Sequence, residues 1–175
     1  MEKNFETLKK ISIVGPESSG KTTITKILSK VLNCNYCEEY ARDYLSIKKN
    51  YQYDDLIEIG KGQDRIIKKS LGKSSRYFIT DTSCLVVELW SKIKFKKVDQ
   101  KLYKLSKSED FDFYLLCKPD IPWEKDDLRE NPEDRDKIFI EYEEVLKRRK
   151  LNYKIIQGSL IERLLTSLDF IKNRN

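Results

Sequence analysis

The sequence predicts an α/β protein, a three-layer sandwich in which helices cover both faces of a five-stranded parallel sheet. Short β-branched or apolar runs alternate with stretches whose apolar residues recur every three or four positions, and this alternation is typical of parallel sheets. The chain has 175 residues, of which 39% are hydrophobic and 37% charged. That length and composition fit one domain with one core, so we assign residues 1–175 to a single domain.

The elements follow in chain order. Apolar runs predict the strands, which lie at 9–14, 35–40, 76–80, 111–117 and 153–157. Helical spacing predicts a first helix through Ile24–Leu32 and a second over 54–71, capped by Asp54 or Asp55. It also predicts helical segments within 84–107 and helices around 138–146 and 160–168. Between the fourth strand and the helix near 138, the chain is rich in Pro, Asp, Glu and Arg. We predict that this stretch, about 119–136, forms a mobile loop or lid.

Composition excludes several classes of protein. The chain has no histidine, which removes His-dependent hydrolases and His-ligated zinc enzymes. Its four cysteines include one CxxC pair, Cys34 and Cys37, without the further ligands that a zinc site needs, and we expect reduced thiols. No apolar stretch approaches the length of a membrane helix, so we expect a cytoplasmic protein without a membrane partner. The net charge of +6 favours anionic ligands, nucleotides or nucleic acid.

One motif is highly specific. Residues 15–22 read GPESSGKT, a full match to GxxxxGK[ST], and they follow a predicted strand and open a predicted helix as a phosphate-binding loop must. Gly15 and Gly20 allow close approach of the backbone, Lys21 can bridge the β and γ phosphates, and Thr22 can supply an oxygen to Mg²⁺. The predicted nucleotide contacts are Gly15, Glu17, Ser18, Ser19, Gly20, Lys21, Thr22 and Thr23. A chance glycine turn with a surface lysine is the alternative interpretation.

Carboxylates are expected at the ends of two further strands, where ligands of open parallel sheets bind. Asp81 ends the third predicted strand, and it could hold Mg²⁺ or its waters or be an ordinary turn acid. Glu38 and Glu39 end the second. Glu39 is our first candidate for the base that accepts a proton from an attacking hydroxyl. It could equally pair with Arg42 in a purely structural role.

Positive charge concentrates in two places outside the loop. Arg129 and Arg135 lie among the acids of the lid, where guanidinium groups could close over the transferring phosphoryl group or be part of a solvated face. Seven lysines between 92 and 107 form a basic segment with little aromatic interleaving. We therefore interpret it as a solvated helical face and expect no nucleic-acid partner. The sequence does not predict an oligomeric state.

Four segments together resemble the ribosylnicotinamide kinase domain of the NadR family, within the P-loop kinases. They are GPESSGKTT at 15–23, EYARDYL at 39–45, DTSCLVVELW at 81–90, and KPDIPWEKDDLRENPEDR at 118–135. The resemblance implies a P-loop kinase fold with a lid and a strand order of 2-3-1-4-5. It also implies phosphorylation of the 5′-hydroxyl of nicotinamide riboside by ATP and Mg²⁺, so the expected partner is a small nucleoside.

The resemblance also implies residue roles. The loop, with Lys21, would bind ATP and Mg²⁺. The nucleoside side would be lined by Glu39, Tyr40 and Arg42, and Asp81 would face substrate or metal. The lid would act through Arg129 and Arg135. Tyr40, Tyr44, Trp90 and Trp123 are candidate stacking partners for a ring, Trp90 being expected rather in the core.

Three departures from the family pattern bear on the acceptor more than on phosphoryl transfer. The family commonly reads DTD where this chain has Asp81-Thr82-Ser83, and DGLR where it has Asp126-Asp127-Leu128-Arg129. Some members carry an aromatic residue where this chain has Glu38. Kinases of another nucleoside or small metabolite therefore stay open as alternatives, as does a regulatory ATP-binding module without phosphoryl transfer.

Overall fold

The structure is a computed structural model that describes residues 7–48, 50–72, 76–126, 129–130 and 133–173. Five parallel strands form one sheet in the order β2-β3-β1-β4-β5. This confirms the predicted fold class and strand order. The strands are β1 (Lys9–Val14), β2 (Asn35–Cys37), β3 (Tyr77–Asp81), β4 (Phe113–Cys117) and β5 (Tyr153–Ile156). The helices are α1 (Lys21–Val31), α2 (Tyr40–Ile47), α3 (Tyr53–Leu71), α4 (Cys84–Phe95), α5 (Gln100–Lys107), α6 (Arg135–Arg148) and α7 (Leu160–Lys172).

Side chains of the central strands fill a core on each face of the sheet. On one face Ile11, Ile13 and Leu115 pack with residues of α1 and α7, such as Ile24 and Ile171. On the other face Val14, Tyr114 and Leu116 pack with residues of α4 and α6. Because β1, β3 and β4 are buried on both faces, their sequences read as continuous apolar runs rather than as alternating ones.

The register of the strands brings the site residues to one edge of the sheet. Ile13 of β1 pairs with Asp81 of β3, and Cys37 of β2 pairs with Thr80. The chain segments that follow β1, β2 and β3 therefore emerge side by side, at the carboxyl ends where ligands of parallel sheets bind. Within the described residues, none of the helices is long and apolar enough to span a membrane.

The structure corrects three boundaries. The second strand ends at Cys37 instead of residue 40, and Tyr40 begins α2, a helix that we do not predict. The cap of α3 is Gln52 rather than Asp54 or Asp55. Helix α6 begins at Arg135, so the last two residues of the predicted lid are helical. Residues 127–128 and 131–132 of that lid lie outside the described residues.

Asp55 joins α2 to α3. Its carboxylate accepts the backbone N–H of Gln52 at 2.7 Å, the Tyr44 hydroxyl at 2.7 Å and the Lys48 ammonium at 2.6 Å. Its side chain is only 8% exposed. The hydrogen bond from Lys48, with those from Gln52 and Tyr44, lowers the pKa of Asp55 to about 2. The charged form is therefore the one that holds the two helices together.

We expect Asp55→Asn to lower the free energy of unfolding by about 1–3 kcal/mol at pH 7, because charge-assisted hydrogen bonds contribute on that order. Since the folded-state pKa is lowered, this contribution is present at neutral pH and is lost as the pH falls toward 2. Urea unfolding at pH 7 and at acidic pH measures it. Equal stability of the variant and the wild type at pH 7 would contradict this role.

Candidate functional site

The loop between β1 and α1 has the backbone of a phosphate cradle. Gly15, Ser18 and Gly20 have positive φ values of 140°, 51° and 82°, conformations that glycine adopts without strain and other residues rarely do. A Cβ on Gly15 would lie 2.7 Å from the carbonyl oxygen of Cys117, so only glycine fits against the end of β4. In the described structure, α1 begins after Gly20 without a side-chain cap and without an acidic residue in its first turn. Its positive N-terminal end is therefore free to bind an anion.

A buried arginine of α7 binds the loop through its backbone carbonyls. Arg163 of α7 donates to the carbonyls of Ser19 at 2.9 Å, Gly158 at 2.9 Å and Lys118 at 3.0 Å, and it pairs with Asp120. Its side chain is only 4% exposed. These bonds join the loop, the end of β4 and the start of α7. Our sequence reasoning missed Arg163, since an arginine on an amphipathic helix gives no sign that it faces inward.

Lys21 and Asp81 meet at the mouth of the loop. The Lys21 ammonium lies over the loop and donates to the carbonyls of Gly15 at 3.0 Å and Pro16 at 2.7 Å. Asp81 is 4% exposed. Burial raises the pKa of its carboxyl, while a hydrogen bond from Thr22 and the charge of Lys21 oppose the increase. Thr22 and Asp81 thus place two side-chain oxygens next to each other beside the lysine, and their role as metal ligands stays a prediction.

Glu39 lies between the loop and a lid residue. Its carboxylate is 3.3 Å from the Arg42 guanidinium, which also donates to Asp126 of the lid at 3.0 Å. Burial raises the pKa of Glu39; the charge of Lys21 opposes this increase and that of Asp81 adds to it. Glu39 thus pairs with Arg42 and also senses the charge of the loop lysine, and its role as a base stays a prediction.

The lid packs on the loop through Ser18. The Ser18 hydroxyl accepts the backbone N–H of Glu124 at 3.0 Å and a bond from Arg129 at 3.4 Å. Arg135, in the first turn of α6, donates to the Ser18 carbonyl at 3.0 Å. The backbone N–H of Glu130 donates to the Glu17 carboxylate at 2.9 Å. Both predicted lid arginines are thus brought to the loop, where they bind its Ser18.

A cleft of about 270 Å³ runs from the loop to an apolar wall. Its polar end has Lys21, Thr22, Glu39, Arg42 and Arg129, and its far wall comprises Ala41, Leu45, Val86, Trp90, Ile93, Ile138 and Tyr142. Trp90 is partly buried and packs against the core cluster that includes Ala41 and Leu45, as expected, and it also lines the cleft. Its indole N–H donates to the Tyr51 hydroxyl at 2.9 Å, and that hydroxyl donates to Glu130 at 3.0 Å.

Three predicted substrate contacts do not line the cleft, and one of them is Asp81, which lies beside Thr22 at the loop. Tyr40 is absent from the residues that line the cleft; its ring packs against Gly62 of α3 and lies 6.2 Å from the ring of Tyr44. Trp123 is also absent from this lining, and its indole nitrogen is buried without a hydrogen-bond partner among the described residues. Conversely, Tyr142 lines the cleft, although its helical spacing in the sequence marks it only as a core residue.

A family model described as an AAA domain matches residues 10–163. The chain belongs to this AAA domain family. The match begins in β1 and ends at Arg163, so it includes the loop, both carboxylates and the lid. The fold of the chain is similar to the folds of solved P-loop kinases.

NadR proteins are found both among the curated relatives and among the similar solved structures. The trifunctional NAD biosynthesis/regulator protein NadR of Salmonella typhimurium is 27% identical over 124 residues, which are 68% of this chain and 30% of that protein. The chain therefore matches less than a third of the length of this relative. A crystal structure of NadR in complex with NAD and AMP-PNP superimposes with a TM-score of 0.80 at 22% identity, over 94% of this chain and 49% of that one. The structure of a deoxyadenosine kinase from M. mycoides superimposes with a TM-score of 0.68 at 17% identity, over 94% of this chain and 99% of that one.

The contacts of Ser18 predict that its hydroxyl keeps the lid on the loop. We expect Ser18→Ala to increase tryptic cleavage after Lys125 and Arg129 several-fold, since one lost hydrogen bond is worth about 1 kcal/mol. The matched control is Ser19→Ala, whose hydroxyl bonds only within the loop, to Pro16 at 2.7 Å. Cleavage rates that are equal for the two variants would contradict the role of Ser18.

Proposed function

We propose that the protein is an ATP-dependent kinase that phosphorylates the 5′-hydroxyl of nicotinamide riboside. One observation carries the proposal: a single cleft joins a phosphate-binding loop to an aromatic wall, with Glu39 between them. The similarity to NadR and to nucleoside kinases supports a phosphotransferase and suggests the acceptor. A small nucleoside bound against Trp90 and Tyr142 would direct its hydroxyl toward the loop.

The far end of the cleft favours a planar ring that carries positive charge. Trp90 offers an aromatic surface, and the Glu130 carboxylate, which pairs with Lys94, is joined to it through the Tyr51 hydroxyl. Cations are attracted to aromatic faces and carboxylates alike. The pyridinium ring of nicotinamide riboside is such a group, whereas the bases of common nucleosides are neutral at pH 7.

In the proposed reaction, the loop amides and the N-terminus of α1 hold the β and γ phosphates, and Lys21 swings from the loop carbonyls onto them. Glu39 accepts the proton of the 5′-hydroxyl as its oxygen attacks the γ phosphorus, and ADP leaves. Arg129 and Arg135 keep the lid closed and exclude water. Closure over both substrates would make ATP hydrolysis slow without the acceptor.

Thr22 and Asp81 fit a magnesium ion. Mg²⁺ usually takes one or two protein oxygens and completes its coordination with water and phosphate, and the described residues contain no cluster of three acidic, cysteine or histidine ligands. When bound, the ion would neutralise charge on the β and γ phosphates.

The direct test is ADP release measured with ATP and Mg²⁺ plus nicotinamide riboside, adenosine, cytidine, thymidine or no acceptor. We expect strong stimulation by nicotinamide riboside alone. Stimulation by another nucleoside would support a kinase with a different acceptor. The likeness to deoxyadenosine kinase is the reason to include adenosine among the candidates. No stimulation by any acceptor, with ATP still bound, would favour a regulatory nucleotide-binding module.

Glu39→Gln should reduce kcat by about 100-fold or more while ATP binding is retained, because general-base catalysis contributes on that order. In the wild type kcat should rise with pH, since the base acts deprotonated. The midpoint should lie above that of an ordinary glutamate, about 4.3, because burial raises the pKa of Glu39. A pH-independent kcat or an active Glu39→Gln variant would exclude Glu39 as the base.

Trp90→Leu should raise the KM for the acceptor about tenfold with little change in kcat for saturating substrate, because stacking on an aromatic ring is worth roughly 1–3 kcal/mol. Trp123→Leu is the matched control, since this tryptophan lies outside the cleft lining. Steady-state kinetics with varied acceptor give both constants. An increase in KM for the control alone would place the ring-binding site in the lid.

A further inference from the structure

Gln63 connects the two turns that carry the carboxylates. This side chain of α3 is 1% exposed. Its carbonyl oxygen accepts the backbone N–H of Tyr40 at 2.8 Å, and its amide nitrogen lies 3.3 Å from the carbonyl oxygens of both Glu38 and Thr82. An amide nitrogen has two N–H donors, so one side chain can serve both turns.

The residues that Gln63 contacts flank Glu39 and Asp81. Glu38 and Tyr40 lie on either side of Glu39. Thr82 directly follows Asp81, and its φ is 81°, a conformation that is unfavourable for a β-branched residue. The Thr82 carbonyl also accepts the Thr80 hydroxyl at 2.5 Å. Two hydrogen bonds to one carbonyl hold the turn after β3 in this strained form.

Packing alone does not account for a polar residue here. Gln63 lies in the buried stripe of α3 with Leu56, Ile59 and Ile67. Burial of an amide is costly unless its hydrogen bonds are made, and an apolar residue would fill the same space without that cost. The polar group is therefore best explained by the two turns that it joins.

We infer that Gln63 is a positioning residue that fixes Glu39 and Asp81 relative to each other. The inference rests on the proposed function for its catalytic consequence. Gln63 is absent from the residues that line the cleft, so it acts through the turns and not on the substrate. Displacement of either turn would move Glu39 from the hydroxyl that it deprotonates, or Asp81 from Thr22.

The test compares two variants of the same buried stripe. Gln63→Met keeps the length of the side chain and removes its hydrogen bonds. Ile67→Val, one turn further along α3, removes a single methylene group and no hydrogen bond. We expect kcat of Gln63→Met to fall about 100-fold, the effect of misplacing a reacting group by about 1 Å, with the KM for ATP unchanged. Ile67→Val should leave both constants unchanged. A second variant, Gln63→Leu, removes the same hydrogen bonds with a smaller apolar side chain, and it replaces Gln63→Met if the latter does not fold.

A readout independent of turnover separates this inference from the proposed function. Carboxyl ¹³C NMR titration follows Glu39 in the wild type and each variant. We expect the midpoint of Glu39 to move in the Gln63 variants and to stay in Ile67→Val. Unchanged midpoints in the Gln63 variants would overturn the positioning role, whatever the activity. Moved midpoints in a protein that no acceptor stimulates would support the positioning role and refute the kinase.

Discussion

The site depends on how closely the backbone of the β1–α1 loop approaches the end of β4. There is no room for a Cβ at Gly15 against the Cys117 carbonyl, and the buried guanidinium of Arg163 fixes the loop to the segments after β4 and β5. A loop held on two sides keeps its backbone, and with it its N–H donors, in place before any ligand arrives. Preorganised donors of this kind need no rearrangement when charge develops on a phosphate.

The other end of the cleft is built differently, from contacts between the lid and the helices beside it. Asp126 of the lid reaches Arg42, which also pairs with Glu39. Glu130 reaches Tyr51 and Lys94, beside Trp90. Closure of the lid is thereby connected to the residue proposed as base and to the ring proposed to stack on the acceptor. Such coupling lets a kinase exclude water until both substrates are bound.

Sequence patterns predicted most of the fold and the phosphate end of the site for clear reasons. Buried strands such as Phe113–Cys117 are continuous apolar runs, and the loop motif follows from backbone geometry that few residues tolerate. Helix α2 was missed because its short buried stripe, Ala41 and Leu45, adjoins a strand with a similar composition. Arg163 and Gln63 carry no local signal, because their roles arise from segments far away in the sequence. Trp90 was only partly anticipated, since half-burial at a cleft and full burial give the same helical spacing.

The most direct measurement of the central claim is isothermal titration of the wild type and of Gly15→Ala with a nonhydrolysable ATP analogue and Mg²⁺. The account predicts saturable binding at one site in the wild type and its loss in the variant, with circular dichroism used to confirm that the variant is folded. Absence of binding in the wild type, or equal binding by a folded Gly15→Ala protein, would contradict it.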